Sequence, residues 1–337
     1  AHGLVEISLV EESSDDKFIE DKVAGERMRP EFDVTRAYNP ASTAIPVTRS
    51  EGLTWSLLGA GMGGSIIGGQ GRSVSFDGGY GSFVGDNMLF VNIGGGAAAK
   101  SGGSRAAQWM LLEQAVAEAR SELEWQPAPL LTPLGRKALA GYLDGGKVVF
   151  TADRASDILQ VLAFAAEHGV EAVIRGGAEA WMVADELAGA GVPVVLNPLV
   201  NLPSNFDQIG ARLENAALLH AAGVTVAFSG QATHNARKQR QAAGNAVANG
   251  LPWDAALAAI TSNPASIFGL EGGYGTIEPG GPADLVIWSG DPLEVTTWAD
   301  TVIIAGRQIP ATSRQSLLRE RYLPERPGKP RAYIGKP

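Results

Sequence analysis

KVVFTADRASDILQVLAFAAEHG, running from Lys147 to Gly169, sets the fold class. Its first six residues are apolar on both faces, as in a strand covered from both sides. The remainder has helical spacing, with Ile158, Leu159, Leu162 and Ala166 read as one face and Gly169 as the stop. The unit recurs three times. EAVIRGG (171–177) precedes AEAWMVADELAGAG, VPVVLNP (192–198) precedes NFDQIGARLENAALLHAAG, and VTVAFSG (224–230) precedes HNARKQRQAAGNAVANG. Four βα units predict a parallel sheet. Periodicity alone fits a closed barrel and an open doubly wound sheet equally well.

The flanks read differently. The segment 59–104 holds GAGMGGSIIGGQG, DGGYG and GGGAAAKSGGS, and its glycine density predicts loops around one or two strands without a conventional core. It is either a functional insertion or filler. Beyond Leu270, GTIEPGGPADLVIWSGDP and WADTVIIAGRQIP predict a small all-β unit, and the Pro-rich, basic end predicts an extended tail over 313–337. The expected division is therefore a barrel over 1–270, part of a β-sandwich over 271–312 and the tail.

Composition narrows the function. The 337 residues carry a net charge of -9, which argues against general affinity for nucleic acid or anionic membranes. No apolar run is long enough to span a bilayer. The absence of cysteine excludes disulfides, thiolate metal sites and cysteine nucleophiles. The opening Ala-His-Gly-Leu, without an initiator Met, is read as a processed end, which tilts the expected location towards the periplasm or outside of a bacterial cell.

The run ITSNPASIFGLEGGYGTIEPGGPADLVIWSGDPLEV (260–295) resembles the C-terminal signature of amidohydrolases related to imidazolonepropionase. GLVEI (3–7), ADRASDI (152–158), GGAEAW (176–181) and HNAR (234–237) extend that resemblance over nearly the whole chain. It implies a (β/α)8 TIM-like barrel with a small, incomplete C-terminal β-sandwich, and hydrolysis of a C–N bond in an amide or cyclic amide. Such enzymes use one or two divalent metals, which lower the pKa of bound water and polarise the carbonyl.

The ligands implied by the resemblance are largely missing. Histidines are expected near Thr151 and Arg175, and an aspartate near Ala232, yet none of these positions supplies one. His2 is either a remnant of a first-strand His pair, and so a metal ligand, or a neighbour without that role. A divalent metal such as zinc would then need ligands from outside this segment. The alternative function is a catalytically silent subunit that binds a ligand or supports an active partner.

Candidate catalytic residues are His234, Arg175 and Asp153, and candidate substrate-binding residues are Glu179, Asn197, Asn235 and Arg237. His234 is expected in a βα loop on the barrel's site face, its other reading being a helix N-terminal role. Arg175 at a strand end either pairs with Glu179 or faces a ligand. His168 and His220 are read as structural. FVNIGGGAAAKSGGS (90–104) approximates a phosphate-binding loop but has Ala99 where the second glycine belongs. The expected partners are a small-molecule ligand and other subunits in a homo- or hetero-oligomer, among them a homologous active subunit or a preceding segment. The sandwich edge is what should seek one.

Overall fold

The computed structural model describes residues 28–61, 64–123, 128–229 and 238–323. Seven strands lie side by side in sequence order: β1 (Trp55–Leu58), β2 (Ile67–Ser75), β3 (Phe83–Asn92), β4 (Lys147–Ala152), β5 (Glu171–Gly176), β6 (Val194–Leu196) and β7 (Val226–Phe228). The first two pairings are antiparallel, and from β3 to β7 every pairing is parallel. The expected parallel βα core is therefore present. Among the described residues the sheet, which curls into a half-barrel, is an open run ending at β1 and β7 rather than eight strands in a closed ring.

Alternation along the strands builds two cores. Val148, Phe150, Ile174, Val194 and Val226 face the helices, with Ile158, Val161, Phe164, Leu187, Leu219 and Ala243 packed on them. Val149, Val173, Val195 and Ala227 face the other way, beside Ile45, Phe268, Val302 and Ile304. The helix Ala155–His168 buries Ile158, Val161, Ala165 and His168, so Leu159 and Ala166, expected inside, are exposed. Its cap Gly169 has φ 65°, a left-handed conformation that favours glycine.

The glycine-rich segment corrects its sequence reading. It contains β2 and β3, two of the longest strands, and Ile66, Ile67, Val74, Phe76 and Met88 to Val91 are fully buried. Its glycines serve close packing: a β-carbon on Gly71 would collide with the Leu58 carbonyl and the Phe90 ring. Two expected helices are interrupted. Residues 180–183 form a 3-10 turn before the helix Ala184–Ala190, and only Asn215–Ala221 is α-helical in the third unit.

β8 (Leu285–Trp288), β9 (Ala299–Ile304) and β10 (Arg307–Ile309) form the small antiparallel sheet expected after residue 270. Arg240 ties it to the main body. Its guanidinium donates to the carbonyls of Pro292, Glu294 and Thr297 and lies over the Trp288 ring. Arg314–Tyr322, expected as extended chain, is a helix started by a Ser313–Ser316 capping box. No helix among the described residues is long and apolar enough to cross a membrane.

Candidate functional site at the strand ends

Two layers matter at the C-terminal ends of β3 to β7. The lower one, opposite the helices, is apolar: Phe90 is the register partner of Val149, and Val149 of Val173. Two residues further along each strand comes a continuous row of Cα partners, Asn92, Thr151, Arg175, Val195 and Ala227. Its first three members are polar. They are only partly buried, whereas Val195 and Ala227 are inside. Neither Thr151 nor Arg175 makes a side-chain hydrogen bond or ion pair among the described residues, and Asn92 makes one long bond of 3.5 Å to the Ile66 carbonyl.

Arg175 departs from one of its sequence readings, since no ion pair with Glu179 forms. The Glu179 carboxylate accepts instead from the backbone N–H groups of Ala155 (3.1 Å) and Gly210 (2.9 Å). Arg175 is half-buried, and burial pushes its pKa below the ordinary value, with no acid among the described residues offsetting the loss of water.

A second polar group surrounds the strand ends on the helix side. Asp153 accepts from Gln208 Nε2 at 2.8 Å and from the Ala178 N–H at 3.3 Å. Asp207 accepts from the Gly95 N–H at 2.5 Å and from Arg105, which also donates to Asp157 at 3.0 Å. Trp181 Nε1 donates to the Gly210 carbonyl. The loop after β6 is thus latched to segments following β3, β4 and β5. Asp207, Gln208, Arg105 and Asp157 escaped the sequence reading because their bonds link residues dozens of positions apart, with no local spacing to betray them.

Burial raises the Asp153 pKa above the ordinary aspartate value, with Asp207 and Glu179 adding to the rise; the hydrogen bonds from Gln208 and Ala178 oppose it. A carboxyl that holds its proton more tightly when folded stabilises the fold most at pH below its unfolded pKa, and that contribution is lost as pH rises through the folded value. Asp153→Asn should therefore flatten the pH dependence of the melting temperature above about pH 4, the unperturbed aspartate range. A thermal melt series against pH checks this, and an unchanged slope would count against it.

Asn197 follows β6 and uses its Oδ1 to accept from the Leu199 N–H, a local turn. His234, Asn235, Arg237 and His2 lie outside the described residues. The phosphate-loop reading is corrected. Gly94 and Gly95 enter a 3-10 turn, and their N–H groups are engaged by Gln108 (2.8 Å) and by Asp207, a carboxylate standing where phosphate would.

The described strand-end residues do not fit a divalent metal. Asn92, Thr151 and Arg175 bring one amide, one hydroxyl and a cation, and a guanidinium has no lone pair to give. Among the described residues, the grouping of acids and imidazole that comes together is Glu113, Glu167 and His168, with ligand atoms within 4.8 Å. It lies at the opposite end, where the helix after β4 finishes. Arg120 donates to His168 Nδ1 and leaves the proton on Nε2, which donates to Glu113 at 3.0 Å, so both ring nitrogens are engaged.

Known proteins converge on one family. A 46-residue stretch is 48% identical to the amidohydrolase tasK of Hapsidospora irregularis, covering 14% of this chain and only 5% of that protein. The structure of an amidohydrolase from Thermotoga maritima MSB8 superposes with a TM-score of 0.78 over 92% of this chain and 84% of its own, at 24% identity, which speaks for a shared fold. The model of the Amidohydrolase family matches residues 136–309, just over half of the sequence and the part that carries β4 to β10; the chain belongs to the amidohydrolase family.

Proposed function

We propose that this chain acts on the C–N bond of an amide or cyclic amide, with the C-terminal ends of β3 to β7 as its site. The family match over β4 to β10 carries the reading. On this reading the fold is a (β/α)8-type barrel in which β3 to β7 are parallel staves, and β8 to β10 are part of a small sandwich. In barrels of this kind, reacting groups come from strand ends and the loops after them. The described residues offer no metal-binding set there, so the reaction is not written through a metal. Arg175 supplies the positive charge, Thr151 a hydroxyl and Asn92 an amide.

A second reading has its own observation. Thr151 and Arg175 stand where resemblance to imidazolonepropionase-related enzymes calls for imidazoles, which favours a relative that binds its ligand without turnover. Incubating the full chain with N-acyl amino acids, hydantoins and imidazolones, and following the release of free amine or ring opening, separates the two. Turnover reduced roughly 100-fold by Arg175→Met, the scale for losing one electrostatic contact to a reacting group, supports the first. Binding without turnover supports the second, and turnover indifferent to Arg175 would move the reaction elsewhere.

A further inference from the structure

We infer that Arg175, Thr151 and Asn92 form an anchor for the carboxylate of a small organic acid, and that Val195 and Ala227 receive its apolar part. The inference deepens the proposed function by naming a ligand class, and it rests on the strand ends being the site.

The row is continuous through backbone register, which fixes the order amide, hydroxyl, guanidinium, isopropyl, methyl across five neighbouring strands. Below it lies the closed apolar layer of Phe90, Val149 and Val173, so these polar groups cannot find partners inward. Sideways, the acids among the described residues are committed elsewhere: Glu179 and Asp153 to backbone N–H groups and Gln208, Asp207 and Asp157 to Arg105. A half-buried guanidinium with no acid beside it among the described residues carries a cost in lost hydration. Its planar fork matches two carboxylate oxygens, which would recover that cost as charge-assisted hydrogen bonds. Thr151 can donate to the same group, and Asn92 can donate to or accept from an adjacent amide.

Carboxylate rather than phosphate is favoured by the rest of the row. One cation, one hydroxyl and one amide flanked by two apolar side chains suit a single negative charge on a partly apolar body. Phosphate sites add backbone N–H groups, and the nearby glycine N–H groups are already taken by Gln108 and Asp207.

The test is thermal shift and calorimetry on the full chain with three probes at matched ionic strength: N-acetylalanine, its neutral carboxamide, and inorganic phosphate. Saturating N-acetylalanine should raise the melting temperature, with the carboxamide and phosphate giving little. Arg175→Met should abolish that rise while leaving the ligand-free melting temperature unchanged or higher, since a half-buried charge with no acid partner among the described residues is removed. Thr151→Val should weaken binding several-fold. Equal shifts from acid and carboxamide, a shift from phosphate alone, no shift from N-acetylalanine, or a large ligand-free loss of stability in Arg175→Met would each overturn the assignment. If Arg175→Met does not fold, that loss is the overturning result. Because binding is read without turnover, an inactive protein that still binds the acid contradicts the hydrolase reading alone.

Discussion

Glu118→Ala is expected to lower the folding stability by about 3 kcal/mol, because it strands one buried and two half-buried donors at once. The carboxylate is almost wholly inside the protein, in the helix Arg105–Ala119. It accepts from the N–H groups of Leu130 (2.8 Å) and Leu131 (3.0 Å) and from Gln114, with Arg136 at 3.8 Å. Leu131 is itself a core residue, bridged to Met28. Removing the acceptor leaves the buried Leu131 N–H and the half-buried Leu130 N–H without their partner, and opens a cavity beneath them. Chemical denaturation of the variant measures the loss; a change under about 1 kcal/mol would mean water readily replaces the carboxylate.

Asp207→Ala should cost about 3 kcal/mol, a figure set below that of a fully buried ion pair because Arg105 remains partly exposed. The side chain holds the Gly95 N–H and Arg105, and so links the loop after β6 to the segment after β3. Its loss also leaves Arg105 to Asp157 alone. The loop's other ties, Gln208 to Asp153 and Gly210 to Glu179, remain, so it should loosen rather than detach. Amide hydrogen exchange should then rise over residues 204–210 while the strands stay protected. Uniform acceleration would show a global role instead. Gly94 is bound into the same arrangement: it has φ 96°, and a β-carbon there would lie 2.9 Å from Asp207 Oδ2.

These two acids show what the sequence could and could not disclose. The units β4 to β7 are legible because strands covered on both faces carry apolar residues on each face along their middles and their helices end in glycine, as at Gly169 and Gly191. Segment 59–104 is legible only in its strand count; its buried core is not. At Gly71 the residue is required by the approach of a neighbouring strand, and composition cannot distinguish that from a loop. The stripe on the helix after β4 was misassigned at Leu159 and Ala166 because Asp157 and His168, both polar, occupy its buried face.

At the site, strand-end position was enough to single out Arg175 and Asp153. Their partners were not foreseeable. Glu179, four residues from Arg175, was the local candidate for an ion pair, but the turn it sits in carries its carboxylate to Ala155 and Gly210. Asn92 and Thr151 join Arg175 only through register, which fixes which residue of one strand faces which residue of the next.

A crystal structure of the full chain grown with N-acetylalanine tests the location of the site most directly. Density for the carboxylate should lie against the Arg175 guanidinium, with its methyl groups towards Val195 and Ala227. The acid held anywhere else, for instance in the hollow of about 310 Å³ lined by Arg49, Asp300 and Gln308, would contradict a strand-end site.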